Sequence, residues 1–244
     1  MNLATVATSS IGKKFIAAFT GLVMVVFTIG HLTGNLLLLM GPKFFNDYAL
    51  FLEHLFHGWA VLLADLVLLV VVVSHIWAGV NVQLRRGEAR PRDYESKQDA
   101  GGASQKSFAS STMIFTGVAL LVFIVVHLLN FKWGATQTIP LEHGEHMRNL
   151  YGLVVTKFGQ PLFAFGYIAM MMLFGVHISH GIWSACQSLG LANDKYLPIL
   201  QKLGWGLSFL LAFGFIILPG LIFGFNSYFV EANQTYLQTM MGRG

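Results

Sequence analysis

The sequence predicts an all-α integral membrane protein with five transmembrane helices, and two observations carry that prediction. Hydrophobic residues make up 55% of the 244 residues and charged residues only 11%, with a mean hydropathy of +0.64. Soluble domains average about 25% charged residues, so this chain has too few charges to cover a water-soluble surface. Five stretches are also long enough to cross a bilayer, which takes about 20 apolar residues.

The five predicted spans form one membrane domain over residues 1–244. The first span is too long for the apolar core of a signal peptide, and we interpret it as a retained helix. The fourth contains no Asp, Glu, Lys or Arg. The predicted spans cover residues 15–40, 58–84, 107–131, 158–189 and 203–230.

Lysine and arginine are concentrated on one side of these spans. Most lie before the first span, in the loop 85–106, and just before the fifth span. Cytoplasmic loops carry such an excess, so we expect a multi-pass protein of the bacterial cytoplasmic membrane with a cytoplasmic N-terminus and an external C-terminus. We attribute the basic loop to this topology and to protein or lipid contact, and we expect no nucleic acid partner.

The chain contains an internal repeat. The stretch FTGLVMVVFTIGHL at 19–32 is echoed by FTGVALLVFIVVHL at 115–128, and HIWAGV at 75–80 is echoed by HISHGI at 177–182. The first predicted helix therefore matches the third, and the second matches the fourth. Two hairpins in the same orientation form a parallel repeat, and the fifth helix stands outside it.

Each of the first four predicted helices supplies one histidine to a common pattern. Counting from the outer loops at 1.5 Å per residue places His31 and His127 toward the outer face, and His75 and His177 toward the inner face. Ionisable residues within a membrane are usually functional. Paired neutral imidazoles suit axial ligation of haem iron, whereas zinc needs further ligands at the same level. A single cysteine, Cys186, excludes four-cysteine iron–sulfur sites. We therefore predict a four-helix bundle that binds two haems, plus a fifth helix.

Two glycines accompany this pattern. Gly21 and Gly117 each precede the histidine of their helix by ten residues, about 15 Å, which is near the level of the inner pair. We interpret both as making room for a flat haem, with small-residue helix packing as the alternative. His180 shares a helix side with His177, and we interpret it as a partner of a haem propionate, not as an iron ligand.

These residues resemble the single-chain, five-helix, two-haem cytochrome b subunit of succinate dehydrogenase and fumarate reductase. The likeness covers nearly the whole chain. It implies two b haems, with His75 and His177 binding the proximal iron and His31 and His127 the distal iron, the pairing that the depth count reached. The matching segments are SSIGKKFIAAFTG, GHLTGNL, SHIWAG, VHLLNF and VHISHGIWS.

The resemblance implies a membrane anchor within an electron-transfer complex of the respiratory chain. A flavoprotein and an iron–sulfur protein would dock on the cytoplasmic face, and electrons would pass through the haems to or from a quinone, menaquinone in this branch of the family. The chain has neither a flavin motif nor cluster cysteines, so it is not expected to oxidise succinate alone. Some fumarate-reducing members carry a proton-transferring glutamate two residues before the fourth histidine, whereas this chain has Gly175 there.

Asp65 is the only carboxylate well inside a predicted span, about 15 Å from His75 on the outer side. We predict that it exchanges protons with the quinone; the alternative is a solvated or hydrogen-bonded Asp near a helix start. Lys132 and Trp133 are interpreted as interface anchors, with a role beside the quinone as the alternative. The segments LEHLFHG from Leu52 and LEHGEHM from Leu141 are interpreted as solvated external surface, with a proton antenna as the alternative.

Three other functions fit parts of the sequence. Another di-haem quinone-linked cytochrome, such as the anchor of a hydrogenase or formate dehydrogenase, predicts haem with different soluble partners. A transporter with intramembrane His and Asp as a proton relay predicts no haem. A purely structural anchor predicts neither chemistry.

Overall fold

The computed structural model describes residues 9–88, 108–141 and 146–242, with the side chains of 85–88 excepted. About 85% of these residues are helical. Five helices are long and apolar enough to cross a membrane, which characterises a multi-pass membrane protein. These are α1 (Ser10–Leu36, continued by a 3₁₀ turn Leu37–Met40), α3 (Trp59–Glu88), α4 (Phe108–His127, continued by a π-helical turn Leu128–Lys132), α6 (Pro161–Ser188) and α7 (Leu197–Gly224).

Most of the basic loop 85–106 lies outside the described residues, as do residues 142–145 of the segment LEHGEHM, which include Glu142, His143 and Glu145. Along the spanning helices large apolar side chains face outward; Phe115 is 75% exposed and Leu162 83% exposed. Apolar side chains of this kind can face lipid. The helical backbone can do so as well, because its polar groups are hydrogen-bonded within each helix.

The ends of the last two spanning helices differ from the predicted spans. Pro161 starts α6, as proline commonly does at the first helical position. The last spanning helix begins at Leu197 and therefore includes Lys202, whose exposed side chain reaches out of the apolar surface. It ends at Gly224, and the non-helical backbone of Phe225 (φ −121°, ψ 36°) separates it from a further helix.

Shorter elements follow the spanning helices. Gly41 has a φ of 108°, a conformation that favours glycine, and it turns the chain from the 3₁₀ turn into the next helix. A two-stranded antiparallel hairpin pairs Ile139 with Met147. These elements are α2 (Pro42–His54), β1 (Thr138–Pro140), β2 (His146–Arg148), α5 (Leu150–Phe158) and α8 (Asn226–Met241).

Two compact units divide the chain, and each contains one histidine pair. Unit 1 includes the described residues of Met1–Thr28, Leu66–Ala119 and Leu173–Leu210, and unit 2 those of Ile29–Asp65, Leu120–Met172 and Leu211–Gly244. His75 and His177 therefore belong to unit 1, and His31 and His127 to unit 2.

Unit 2 has a hydrophobic core and an asparagine network. Its hydrophobic core forms around Leu38, Tyr151 and Ile222, which are at most 1% exposed. Asn149 caps α5 by accepting from the backbone N–H of Gly152 at 2.9 Å. The same side chain accepts from Asn46 at 3.2 Å and donates to Asn233 at 3.0 Å, which ties together α2, α5 and α8. These bonds satisfy polar groups that would otherwise be costly to bury.

Candidate haem-binding sites

His75, in unit 1, is held through its Nδ1 atom. That nitrogen lies 3.0 Å from the carbonyl oxygen of Ala17 and 3.3 Å from Oγ1 of Thr20. A carbonyl oxygen only accepts, and the Thr20 hydroxyl donates its own hydrogen to the carbonyl of Ile16 at 2.6 Å. Nδ1 therefore carries the proton, which assigns the tautomer from its hydrogen bonds. The unprotonated Nε2 keeps a lone pair that can bind a metal.

His177 is held in the same way by the second copy of the repeat. Oγ1 of Thr116 lies 3.0 Å from Nδ1 of His177. The Thr116 hydroxyl has carbonyl acceptors on its own helix, at 3.1 Å on both Thr112 and Met113, so its oxygen accepts from the imidazole. Nε2 of His177 is likewise the nitrogen left for a metal. His177 and His75 both belong to unit 1.

Gly21 and Gly117 face the imidazole rings directly. A Cβ atom on Gly21 would lie 3.2 Å from Cε1 of His75, and one on Gly117 would lie 3.5 Å from Cε1 of His177. The repeated Thr-Gly pair thus supplies a hydrogen-bond acceptor and a gap for each histidine. The sequence interpretation assigned both glycines to the haem; in the structure the nearest group is the imidazole.

His31 and His127 come together in unit 2. Their ring centroids are 5.8 Å apart and the ring planes are 89° to each other. Phe215 of α7 lies 5.9 Å from His31, so the fifth spanning helix also borders this pair. Nδ1 of His127 is buried and has no hydrogen-bond partner among the described residues, and the same holds for the hydroxyl of Tyr167, whose ring is 6.1 Å away. Buried polar atoms normally have partners, so these two mark a place where a polar group can bind.

A π-helical turn, Leu128–Lys132, follows His127 directly. Turns of this type are frequent at functional sites. The guanidinium of Arg148 donates to the carbonyl oxygens of Lys132 and Gly134, both at 2.8 Å, and approaches that of Phe131 at 3.5 Å. Arg148 therefore binds carbonyls at the end of the helix that carries His127, where helices leave such groups without partners.

Asp65 has a charged partner in unit 2. Its carboxylate forms an ion pair with Lys132, and the two side chains are 41% and 31% exposed. The structure thus brings together two residues that the sequence analysis considered separately for the quinone site. Trp133, the third, is 65% exposed.

The remaining proposed site residue, His180, lies one turn after His177. Its ring meets that of Trp183 edge-on at 4.7 Å. Three glycines near the histidines differ in their surroundings. A Cβ on Gly79 or Gly181 would meet no atom within 4 Å, whereas one on Gly34 would collide with the ring of Tyr48 at 2.6 Å. Gly34 therefore makes room for a tyrosine.

The separation of His31 and His127 is compatible with a haem held by two histidines. A metal–imidazole bond is about 2 Å long, so two rings on opposite sides of one iron have centroids about 6 Å apart, close to the separation of His31 and His127. Near His75 and His177, a Cβ atom on Gly79 or Gly181 would meet no atom within 4 Å. No group of three or more His, Cys, Asp or Glu in the described ranges could hold a metal ion, and a porphyrin, which supplies four nitrogens of its own, needs none.

Sequence reasoning missed several residues that support these histidines, chiefly Thr20, Thr116, Arg148 and Tyr167. The two threonines carried a signal, because the Thr-Gly pair is repeated at the same distance from His31 and His127. Arg148 and Tyr167 carried none, since their partners are distant in sequence.

Comparison with known proteins adds no relative: no family model, curated protein or solved structure matches this chain.

Proposed function

We propose that this chain is the di-haem cytochrome b membrane subunit of a succinate:quinone oxidoreductase or quinol:fumarate reductase. The observation that carries the proposal is the contact of His31 with His127 in unit 2, with ring centroids 5.8 Å apart, together with the location of His75 and His177 in unit 1. Nδ1 of His75 and His177 is occupied by hydrogen bonds, which suits metal binding through Nε2. The segments around these histidines are also those that resemble the family.

Haem bound at each pair would supply one-electron chemistry within the membrane. The four histidines would hold the iron as neutral imidazoles, which adds no charge to an apolar interior. Thr20, Thr116 and the carbonyl of Ala17 orient two of these rings. Apolar helices around them exclude water.

We assign the quinone-side proton exchange to Asp65. Its carboxylate pairs with Lys132 within a predominantly apolar helix, and its 41% exposure leaves it accessible from outside the helix. The quinone is proposed to be menaquinone. The other subunits of the complex are proposed to be a flavoprotein and an iron–sulfur protein on the cytoplasmic face of a bacterial membrane.

Haem stoichiometry tests the proposal. The full-length chain, purified from haem-replete membranes, is expected to show a b-type reduced-minus-oxidised spectrum and two haems per chain in a pyridine haemochromogen assay. Absence of b haem would exclude a cytochrome and favour the transporter or the structural anchor. One haem per chain would exclude the two-site arrangement.

Single histidine variants then assign the sites. His31→Ala and His127→Ala should each leave one haem, and the double variant should leave the same one, because both residues serve one iron. Combining His31→Ala with His75→Ala should remove both haems. His54→Ala, at an exposed loop-facing position, is the matched control and should retain two. Additive loss in the His31/His127 double variant would refute the pairing.

Reduction by substrate identifies the complex. In native membranes succinate should reduce the haems of this chain, whereas formate and hydrogen should not, and a flavoprotein and an iron–sulfur protein should co-purify with it. Reduction by formate or hydrogen in place of succinate would assign the chain to another quinone-linked enzyme.

A further inference from the structure

Lys13 is a buried lysine in unit 1, near the start of α1. Lys13 is only 4% exposed, whereas the next residue, Lys14, is exposed. The ammonium donates to Oδ1 of Asn81 at 3.1 Å and lies 5.6 Å from the centroid of the Trp77 ring. Burying a charged group is costly unless an opposite charge compensates it, and a neutral amide and an aromatic ring provide only part of that compensation.

Among the side chains that the structure describes, no carboxylate pairs with Lys13. The two ion pairs found there join Lys43 to Asp47 and Lys132 to Asp65. Several acids close in sequence have side chains outside the described part, namely Glu88, Asp93, Glu95 and Asp99. An anionic oxygen would supply the opposite charge that the described contacts of this ammonium lack.

Lys13 lies beside the His75–His177 site. It precedes Ala17, whose carbonyl holds His75, by one helical turn, about 6 Å along the helix axis, and lies on the same face of α1. Its contacts Trp77 and Asn81 follow His75 by two and six residues on α3. The cation and the imidazole thus share the same two helices.

Resting on the proposed di-haem function, we infer that Lys13 binds a propionate carboxylate of the haem at the His75–His177 site. A haem carries its two carboxylates at one edge, so a cation one turn from Ala17, the residue whose carbonyl holds His75, would be well placed for them. A lipid phosphate offers the same anionic oxygen, but phosphates lie at the membrane surface, where the exposed Lys14 is the better partner. The inference adds a binding residue that the four histidines do not reveal.

The charge of Lys13 has a measurable consequence. A nearby ammonium stabilises the reduced, more negative state of the iron, and in a medium of low dielectric constant this effect is strong. Lys13→Gln in the full-length, haem-loaded chain should therefore lower the midpoint potential of one haem. That haem should be the one retained in a His31→Ala background. Lys14→Gln, which removes the same charge one residue away, is the matched control and should leave both potentials unchanged.

Several results would overturn the inference. If Lys13→Gln and Lys14→Gln each kept two haems with the same midpoint potentials, Lys13 would be excluded as a propionate partner, but the proposed function would stand. A wild-type chain without b haem would exclude both the inference and the proposed function. If neutralising Glu88, Asp93, Glu95 or Asp99 shifted the potential in the wild type but not in Lys13→Gln, the partner would be an acid of this chain. If the potential depended on Lys13 only in vesicles containing phosphatidylglycerol, and not in pure phosphatidylcholine, the partner would be a lipid phosphate.

A second measurement applies if Lys13→Gln does not accumulate. Lys13→Arg keeps the charge but alters the contact geometry. With haem labelled by ¹³C in its propionates, the redox-induced infrared carboxylate bands should differ between wild type and Lys13→Arg, and should be unchanged in Lys14→Arg. Identical labelled bands in all three proteins would overturn the inference.

Discussion

Oγ1 of Thr116 accepts a hydrogen bond from Nδ1 of His177 at 3.0 Å, and the equivalent Thr20 lies 3.3 Å from Nδ1 of His75. The two copies of the repeat thus make the same contact, each between the first and second helices of a hairpin. The two histidines differ in their other contacts. Nδ1 of His75 also lies 3.0 Å from the carbonyl oxygen of Ala17, whereas the contact described for Nδ1 of His177 is with Thr116.

This inequality predicts unequal effects of two matched substitutions. Thr116→Val should weaken haem binding at the His75–His177 site by about 10- to 100-fold, a typical cost of losing a group that orients a metal ligand. Thr20→Val should cost less, because the Ala17 carbonyl still accepts from His75. The rate of haem transfer to excess apomyoglobin measures the loss.

Thr28→Val is the control, since the Thr28 hydroxyl donates to the carbonyl of Met24 on its own helix at 2.7 Å. The direction in which the haem midpoint potential changes provides an independent test. Without the Nδ1 hydrogen bond the imidazole is a weaker electron donor, so the potential should rise in Thr116→Val, opposite to the change expected for Lys13→Gln. Equal haem loss in the Thr20, Thr28 and Thr116 variants would contradict the assignment.

Gly21 and Gly117 offer a second comparison within the repeat. A Cβ on Gly21 would approach Cε1 of His75 to 3.2 Å, which forces the ring to move by a few tenths of an ångström, whereas the 3.5 Å contact at Gly117 is ordinary packing. Gly21→Ala should therefore displace His75 and reduce haem occupancy, while Gly117→Ala should retain two haems per chain. Haem content and the b-band maximum check this. A greater loss in Gly117→Ala would show that the haem, and not the imidazole, occupies the space beside that glycine.

The five long apolar helices could be foreseen from the sequence, because apolar length is a local property. Both ends of the last spanning helix were harder to foresee. At its start, Lys202 lies within the helix, and at its end a more polar helix begins at Asn226, after the single non-helical residue Phe225. The partners of the histidines depend on which helices face each other. Thr20 and His75 are 55 residues apart and Arg148 and Lys132 are 16 apart, and periodicity carries no information about such contacts.

Asp65→Asn tests whether the acid exchanges protons or only balances Lys132. Partly exposed ion pairs contribute about 0–1 kcal/mol, so the variant should keep both haems and nearly the wild-type melting temperature. Quinone turnover of the complex should fall by roughly tenfold or more, as expected for loss of a proton-transferring group.

The double variant Asp65→Asn with Lys132→Met separates the two roles. If the acid transfers protons, the double variant should remain slow; recovery of turnover would show that Asp65 only neutralises Lys132. Asp47→Asn, in the exposed pair with Lys43, is the control and should leave turnover unchanged.

Arg148 should act on the His31–His127 site through the π-helical turn. Arg148→Gln removes the donors to the carbonyls of Lys132 and Gly134 at the end of the helix that carries His127. We expect a shifted His127 ring and a haem at that site that is lost more readily. Arg148→Lys should give only partial recovery, because an ammonium cannot reproduce the planar fork of a guanidinium.

Electron paramagnetic resonance provides the readout for Arg148. If His31 and His127 bound one iron with their planes near the observed 89°, the haem at this site would be expected to give a strongly anisotropic low-spin signal. Arg148→Gln should move that signal and leave the signal of the His75–His177 site in place. His146→Ala, at an exposed position on the same strand, is the control. An unchanged signal in Arg148→Gln would mean that His127 is oriented by its packing against Phe123, Phe131 and Tyr167 alone.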